Sequence, residues 1–285
     1  MDRSDKRATL AEAVGLLPDG GHLAMCGFAI SRNAVAFAHE LIRAGRRHLH
    51  LSQVVGGLET DLLVAGGLVD RLTYGGGSLD RFGPLAAVNR AVLSGQLELV
   101  EYSALALALR FHAAALGLPF VPTHSMLGSN LLDPLLISGE VRLDTDPFTG
   151  SPCLLLQPLR PDLAVVHADR ADRHGNCTVR GPLWSIPETV RASTAVVVVC
   201  EQLADPGEID PGQVAIPGEY VTAVVPIPMG AHPTAVFGRY DYDRAHLELY
   251  ARSVGAGEEP ARAYLERWVL GMPDHLSYLA SAGVS

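Results

Sequence analysis

Four consecutive valines, Val196 to Val199 inside the run Ala195–Cys200, constrain the fold of this chain more than any other feature. A strand with one wet face alternates apolar and polar residues. An unbroken β-branched run belongs to a strand covered on both faces, as in a parallel sheet between helices. Leu163–Val166 repeats the signal. Shorter strands are expected at His22–Cys26, His48–Val55, 69–74 and Leu97–Val100, and a last one at Tyr220–Ile227, where Pro226 breaks it. Helical spacing lies between them, at 8–16, through Val35, Phe37, Ala38, Leu41 and Ile42, and at 58–65, 84–94 and 103–116. Ser31 reads as the N-cap of the second helix and Gly45 as its end. Alternation of this kind predicts an α/β chain with an open, mostly parallel twisted sheet flanked by helices. Residues 123–160 break the rhythm, being rich in Gly, Pro, Asp and Ser, and read as an irregular excursion with one β-ribbon around 141–156. From Asp243 the pattern is helical, so we expect one domain over 1–285 with a helical C-terminal extension at about 243–285.

Composition narrows the function classes. The chain has 285 residues, 48% of them hydrophobic, enough for a large core. A net charge of −9 with no basic run argues against a nucleic-acid partner. Cys26, Cys153, Cys177 and Cys200 are widely spaced, so neither a disulfide framework nor a metal site is expected. The polar start Met1–Arg7 lacks an apolar secretory core, and no segment has spanning length, so no membrane is expected and the cytoplasm is the expected compartment.

Candidate site residues cluster where predicted strands end, the edge at which open α/β sheets bind ligands. After the first strand, Gly27, Phe28, Ser31, Arg32 and Asn33 lead into a helix whose N-terminus suits a phosphate or carboxylate, with Arg32 able to add a charged donor. It is no P-loop, since Gly-Lys-Ser/Thr is missing, and on their own the same residues read more readily as an ordinary capped helix with a solvated arginine. Gly75-Gly76-Gly77-Ser78 has an entropic cost that a positive φ or the close approach of a ligand to the backbone explains, and it reads equally as a flexible loop. Ser125 and Gly128 lie in a polar stretch with His124. Asp169, Asp172, His174, Gly175 and Asn176 follow the Leu163–Val166 strand, and read either as a ligand-binding turn or as a solvated Gly-Asn turn. Glu101 is the acid best placed at a strand's carboxyl end, in a first helical turn. His232, in Pro228-Met229-Gly230-Ala231-His232-Pro233, has no partner at metal-ligand spacing.

Four segments taken in order carry a resemblance: Gly27-Phe28-x-x-Ser31-Arg32-Asn33, Glu101-Tyr102-Ser103 with its helix running to Gly117-Leu118-Pro119-Phe120, Asp169-x-x-Asp172-x-His174-Gly175-Asn176, and Pro228–Pro233. Together, over about residues 8–255, they resemble the family I coenzyme A transferases, most of all the A (α) subunits of the glutaconate CoA-transferase type. The resemblance implies a NagB/RpiA-like sheet and a B (β) subunit of related fold that carries a glutamate nucleophile. It implies exchange of CoA between an acyl-CoA and a small carboxylate through a glutamyl-CoA thioester, with no tightly bound cofactor. This chain has no glutamate followed at once by a glycine-rich oxyanion segment, as an A (α) chain should not. No catalytic residue is therefore expected here, and the loops at 27–33, 75–78, 123–130 and 174–176 should form one wall of a shared site. Two other readings stand beside it. One is a CoA-thioester or ring-opening hydrolase subunit of steroid catabolism, whose essential glutamate on the α chain would fall on Glu101. The other is a non-catalytic ligand-sensing domain of the same fold.

Overall fold

A computed structural model describes residues 5–205 and 207–284. The strands are β1 (His22–Met25), β2 (Leu49–Gln53), β3 (Val69–Tyr74), β4 (Glu98–Glu101), β5 (Val121–Thr123), β6 (Val141–Thr145), β7 (Pro152–Leu156), β8 (Leu163–Asp172), β9 (Cys177–Thr178), β10 (Ala195–Ala204) and β11 (Ala223–Pro226). The helices are α1 (Leu10–Val14), α2 (Val35–Arg43), α3 (Leu58–Ala65), α4 (Ala86–Leu93), α5 (Ala104–Ala115), α6 (Leu132–Ile137), α7 (Ile186–Ala192), α8 (Arg244–Gly255), α9 (Glu258–Leu265) and α10 (His275–Ser281). Seven strands run parallel in the order β11-β10-β8-β1-β2-β3-β4, and β9 pairs antiparallel with β8. A separate antiparallel sheet, β5-β7-β6, makes up the ribbon of the excursion.

The valine run does what its pattern requires. Val197 and Val199 enter one core with Phe37, Leu41, Leu62 and Tyr250, while Val196 and Val198 enter the other with Leu107, Phe111, Leu154 and Leu156. The first core lies under α1–α4 and the C-terminal helices, the second under α5, α7 and the small sheet.

Three expectations are corrected. β8 does not stop before the charged stretch but carries it, because pairing with β10 continues from Ala195↔Leu163 to Ala204↔Asp172. Ser31 is not an N-cap. It exchanges backbone hydrogen bonds with Phe28 (2.7 and 2.9 Å), Arg32 sits at φ +55°, and α2 begins only at Val35. Glu101 is the last residue of β4 rather than part of a helical turn, since α5 is capped by Ser103, whose hydroxyl accepts from the Ala106 amide. The excursion also holds α6, unforeseen because Pro134 interrupts the apolar run Leu131–Ile137.

The C-terminal helices dock over a buried group of imidazoles and phenols. His232 Nδ1 lies 2.9 Å from the Tyr278 hydroxyl, His246 Nε2 lies 2.8 Å from that of Tyr264, and His39 meets Tyr278 edge-on. Burial pushes His246 and His275 down to about 4 and His39 well below 6.5. It also lowers the stacked pair His22 and His50, to about 4 and about 3. Burial raises Glu59 to about 7 and Asp61 to about 6, the opposite sense. Below pH 6.5 the unfolded chain takes up protons on five histidines that the folded chain refuses, whereas the two acids hold protons that the unfolded chain has released. The histidines prevail, so stability is lost as pH falls, by about 1.4 kcal/mol per pH unit for each unbalanced proton. Melting temperatures at pH 7.5, 6 and 5 should fall in that order. A flat or rising series would contradict this assignment of neutral buried histidines.

Candidate functional site

The sheet order reverses between β1 and β8, and a crevice at such a switch point is the usual place for a ligand. Pairing of these strands ends at Met25↔Val165, after which β8 continues alone along that edge to Asp172. In this chain the crevice is filled. Asp169, 1% exposed, accepts from Arg32 Nη1 and Arg239 Nε, both at 3.1 Å, and from the Arg180 amide at 2.6 Å. Arg32 Nη2 donates to the Arg180 carbonyl at 2.5 Å, and Arg239 Nη2 to that of Asp169 at 2.9 Å. Burial lowers the Arg32 guanidinium's pKa, while the Asp169 carboxylate opposes that shift. A charge this deep needs such pairing, and removing one partner strands the other. Arg32 is thus committed to the fold.

Asn33 is committed in the same way. Its Nδ2 donates to the carbonyls of Ala29 (3.1 Å) and Ser31 (3.0 Å), and its Oδ1 accepts from the Glu59 amide at 3.1 Å. Glu59 itself is the residue that sequence reasoning missed. Its carboxylate accepts from the amides of Gly27 (2.9 Å) and Ala34 (2.5 Å) and from Gln53 Nε2 (2.8 Å), fastening the turn after β1 to the starts of α2 and α3. A Cβ on Gly27 would lie 2.5 Å from Glu59 Oε1, and one on Gly57 would strike the Ala29 carbonyl. In the sequence Glu59 looks like any acid in a first helical turn.

The His174-Gly175-Asn176 segment is a tight turn from β8 to β9. Asp172 Oδ1 accepts from the amides of His174 and Asn176 (2.9 and 3.0 Å), and its Oδ2 from Asn176 Nδ2 (2.8 Å). Asn176 Oδ1 accepts from the Gly218 amide at 3.1 Å. Gly175 has φ +90°, and a Cβ there would sit 2.8 Å from that of Val221. Both aspartates of the most distinctive motif therefore hold backbone and arginines in place.

What remains open is a ledge across the ends of β1 to β4. Phe28 bridges to Val55, and Gly56 to Gly77. The Gly56 amide donates to the Gly76 carbonyl (2.8 Å), and the Ser78 amide to that of Gly56 (3.2 Å). A Cβ on Gly75 would lie 2.5 Å from the Val54 carbonyl and 2.6 Å from Ala104 Cα, so loop contact forbids a side chain. Gly76 stands at φ +94° with open space beside it. Among the described residues the amides of Gly76 and Gly77 have no acceptor. The ledge continues through Glu101, half-buried and paired with Tyr74, to Ser103, whose hydroxyl lies 2.6 Å from that of Ser125. Gly128, exposed at φ +73°, closes the loop after Ser125. Thus Phe28, Gly76, Gly77, Ser78, Glu101 and Ser125 come together, whereas Arg32 and Asn33 lie beneath them and His174, Gly175 and Asn176 form their own turn. A groove of about 570 Å³ lies on the small antiparallel sheet, lined by Phe120, Pro122, His124, Phe148 and Leu155 among others. Another cavity of about 620 Å³, lined by Arg46, Arg47, Arg90 and Arg262 among others, opens beyond the ends of α2 and α3.

Residues 7–226 match the coenzyme A transferase family model. The chain is 32% identical to the A (α) subunit of glutaconate CoA-transferase from Acidaminococcus fermentans, over 98% of this chain and 92% of that protein. It is 31% identical to the cholesterol ring-cleaving hydrolase IpdA subunit of Mycobacterium tuberculosis, over 87% of this chain and 88% of that one. A longer Archaeoglobus fulgidus protein, 32% identical, is matched across all of this chain, which spans 64% of its length. The crystal structure of the Acidaminococcus fermentans glutaconate enzyme superposes with a TM-score of 0.90 at 28% identity, covering 98% of this chain and 93% of that one. A variant of the decarboxylase AibA/AibB superposes with a TM-score of 0.81 at 31% identity, covering 92% and 98%. On the family match and the near full-length identity, this chain belongs to the coenzyme A transferase family.

Proposed function

We propose that this chain is the A (α) subunit of a heteromeric CoA-transferase that moves CoA from an acyl-CoA to a carboxylic acid, with the nucleophile on a B (β) subunit. One observation carries the reading. The ledge offers amides at Gly76 and Gly77 without acceptors, while the buried carboxylates beside it, Glu59 and Asp169, are held by internal donors. It can stabilise a developing oxyanion, and neither of these two buried carboxylates is free to attack.

The chemistry follows. A carboxylate of the partner attacks the thioester carbonyl, passing through a tetrahedral oxyanion, and expels CoA thiolate to leave an acyl anhydride. The thiolate then attacks the partner's own carbonyl of that anhydride, releasing the free acid and leaving a glutamyl-CoA thioester. The acceptor carboxylate reverses both steps. Covalent capture divides one hard exchange into easier ones. Backbone donors fixed in advance stabilise each oxyanion without reorganising. Water must be kept out, since anhydride and thioester both hydrolyse. In this reading the chain needs no tightly bound cofactor, and the coenzyme A thioester is the substrate.

A second reading has one observation in its favour. Glu101 ends β4 next to the Tyr74–Gly75 turn, half-buried at the ledge, where a general base for water would stand. The relative named as a ring-cleaving hydrolase gives this reading its substance.

Three measurements separate these readings. Purified alone, this chain should exchange no CoA between acids; co-expressed with a β-type partner it should do so. Borohydride should then reduce a thioester on the partner and none on this chain. Exchange by the lone chain would refute the division of labour. In the complex, Glu101→Gln should leave transfer within about threefold of wild type. Thioester hydrolysis without transfer to any acceptor acid, lost by about a hundredfold or more in Glu101→Gln, the scale of a removed general base, would establish the hydrolase instead.

A further inference from the structure

At the β1 end of the ledge two aromatic rings close the row. Phe28 and Trp184 stack with centroids 4.5 Å apart and planes 16° apart. Trp184 is 41% exposed and stands at φ +46°, a conformation a bulky side chain adopts only under strain. Its loop is fastened at both ends. On one side the Arg180 amide holds Asp169 at 2.6 Å. On the other, α7 follows directly, with the Ile186 amide donating to the Leu183 carbonyl at 2.9 Å. Phe237, 69% exposed, lies beside the same loop at Gly181. Strain that holds a large ring half in water contributes nothing to the core, and such strain characteristically accompanies function. Two guanidiniums near this end of the edge, Arg32 and Arg239, are engaged by Asp169, while the exposed Arg180 donates through Nη1 alone to the Gly238 carbonyl at 3.3 Å.

On the transferase reading above, we propose that Trp184, stacked on Phe28, is the specificity-determining wall for the acyl group, selecting flat or ring-bearing apolar acyl chains over short or dicarboxylic ones. Position favours the acyl end of the thioester. Phe28 bridges to Val55 and hence stands about one strand spacing, ~4.8 Å, from the residue preceding Gly56, whose neighbour Gly77 offers its free amide. The reacting carbonyl must lie at those amides, so the group attached to it meets the rings. The adenine of CoA could also stack on them, but it sits at the far end of the pantetheine arm.

The test uses the complex with its partner chain. Trp184 and Trp268 are the two tryptophans of this chain, and Trp268 is buried among the C-terminal helices. Benzoyl-CoA should quench emission in the wild-type complex and not in a Trp184→Phe complex, whereas acetyl-CoA and free CoA should leave it unchanged. Trp184→Ala should lower kcat/KM for benzoyl-CoA by about 10- to 100-fold, the worth of burying a large apolar group, and leave acetyl-CoA and glutaryl-CoA within about twofold. Trp184→Phe should restore most of the benzoyl-CoA activity. Equal losses on all three donors, or quenching by free CoA through its adenine, would overturn the proposal. A complex that transfers no CoA from any donor would instead refute the transferase reading, while quenching by benzoyl-CoA would still report on the wall.

Discussion

The buried carboxylate of Asp169 is the constraint around which this molecule is arranged. Where β1 and β8 part, an open α/β sheet ordinarily leaves a crevice for a ligand. Here two guanidiniums and a backbone amide converge on one aspartate that is almost wholly out of water. Filling the crevice has two effects. It ties the loop after β1, the segment before α7 and the turn at Arg239 into one body. It also moves the open part of the carboxyl edge sideways, onto the glycine loops after β2 and β3. On the proposed function, the reactive surface would lie over β2 to β4, because the switch point is occupied by the protein itself.

Glu59 works on the other side of the same turn. Arg32 is anchored upward to Asp169, while Gly27 and Ala34 are anchored downward through their amides to Glu59. Phe28 is held between these anchors, its half-buried ring stacked on Trp184. Charge and hydrogen bonding fix the backbone that carries it. Such anchoring suits a site that must present rigid amide donors to a transient oxyanion.

Much of this is legible from residue pattern alone. The valine run predicts a strand buried on both faces, and its side chains do divide between two cores. The segment 69–74 is a strand with those bounds, and 58–65 a helix with those bounds. The run of three glycines reads as needing positive φ or letting a ligand approach the backbone; Gly76 has the dihedral, while at Gly75 and Gly77 a side chain would strike the backbone of a neighbouring loop, which the pattern does not foretell. The charged motif after Val166 defeats the pattern because charge suggests solvent. Asp169 and Asp172 each follow a buried alanine in a strand that continues; the guanidiniums that hold Asp169, Arg32 and Arg239, are too distant in sequence to foresee, whereas Asp172 is satisfied inside its own turn by His174 and Asn176. Ser31 misleads for a related reason. It is an apt capping residue, yet the left-handed Arg32 delays the helix, and tertiary demand for the guanidinium overrides the local preference. Glu59 cannot be singled out at all, since most of its partners are backbone amides, which leave no mark in a sequence.

The missing side chains at Gly27, Gly57, Gly75 and Gly77 set how this framework can change over generations. Each leaves free a space that a neighbouring backbone or carboxylate already occupies, so almost any replacement there displaces two loops at once. Variation that keeps the machine running is therefore channelled to the few edge positions with room around them. If the aromatic lip is the acyl wall, a lineage can acquire a new taste in fuel by editing it, while the scaffold stays frozen beneath.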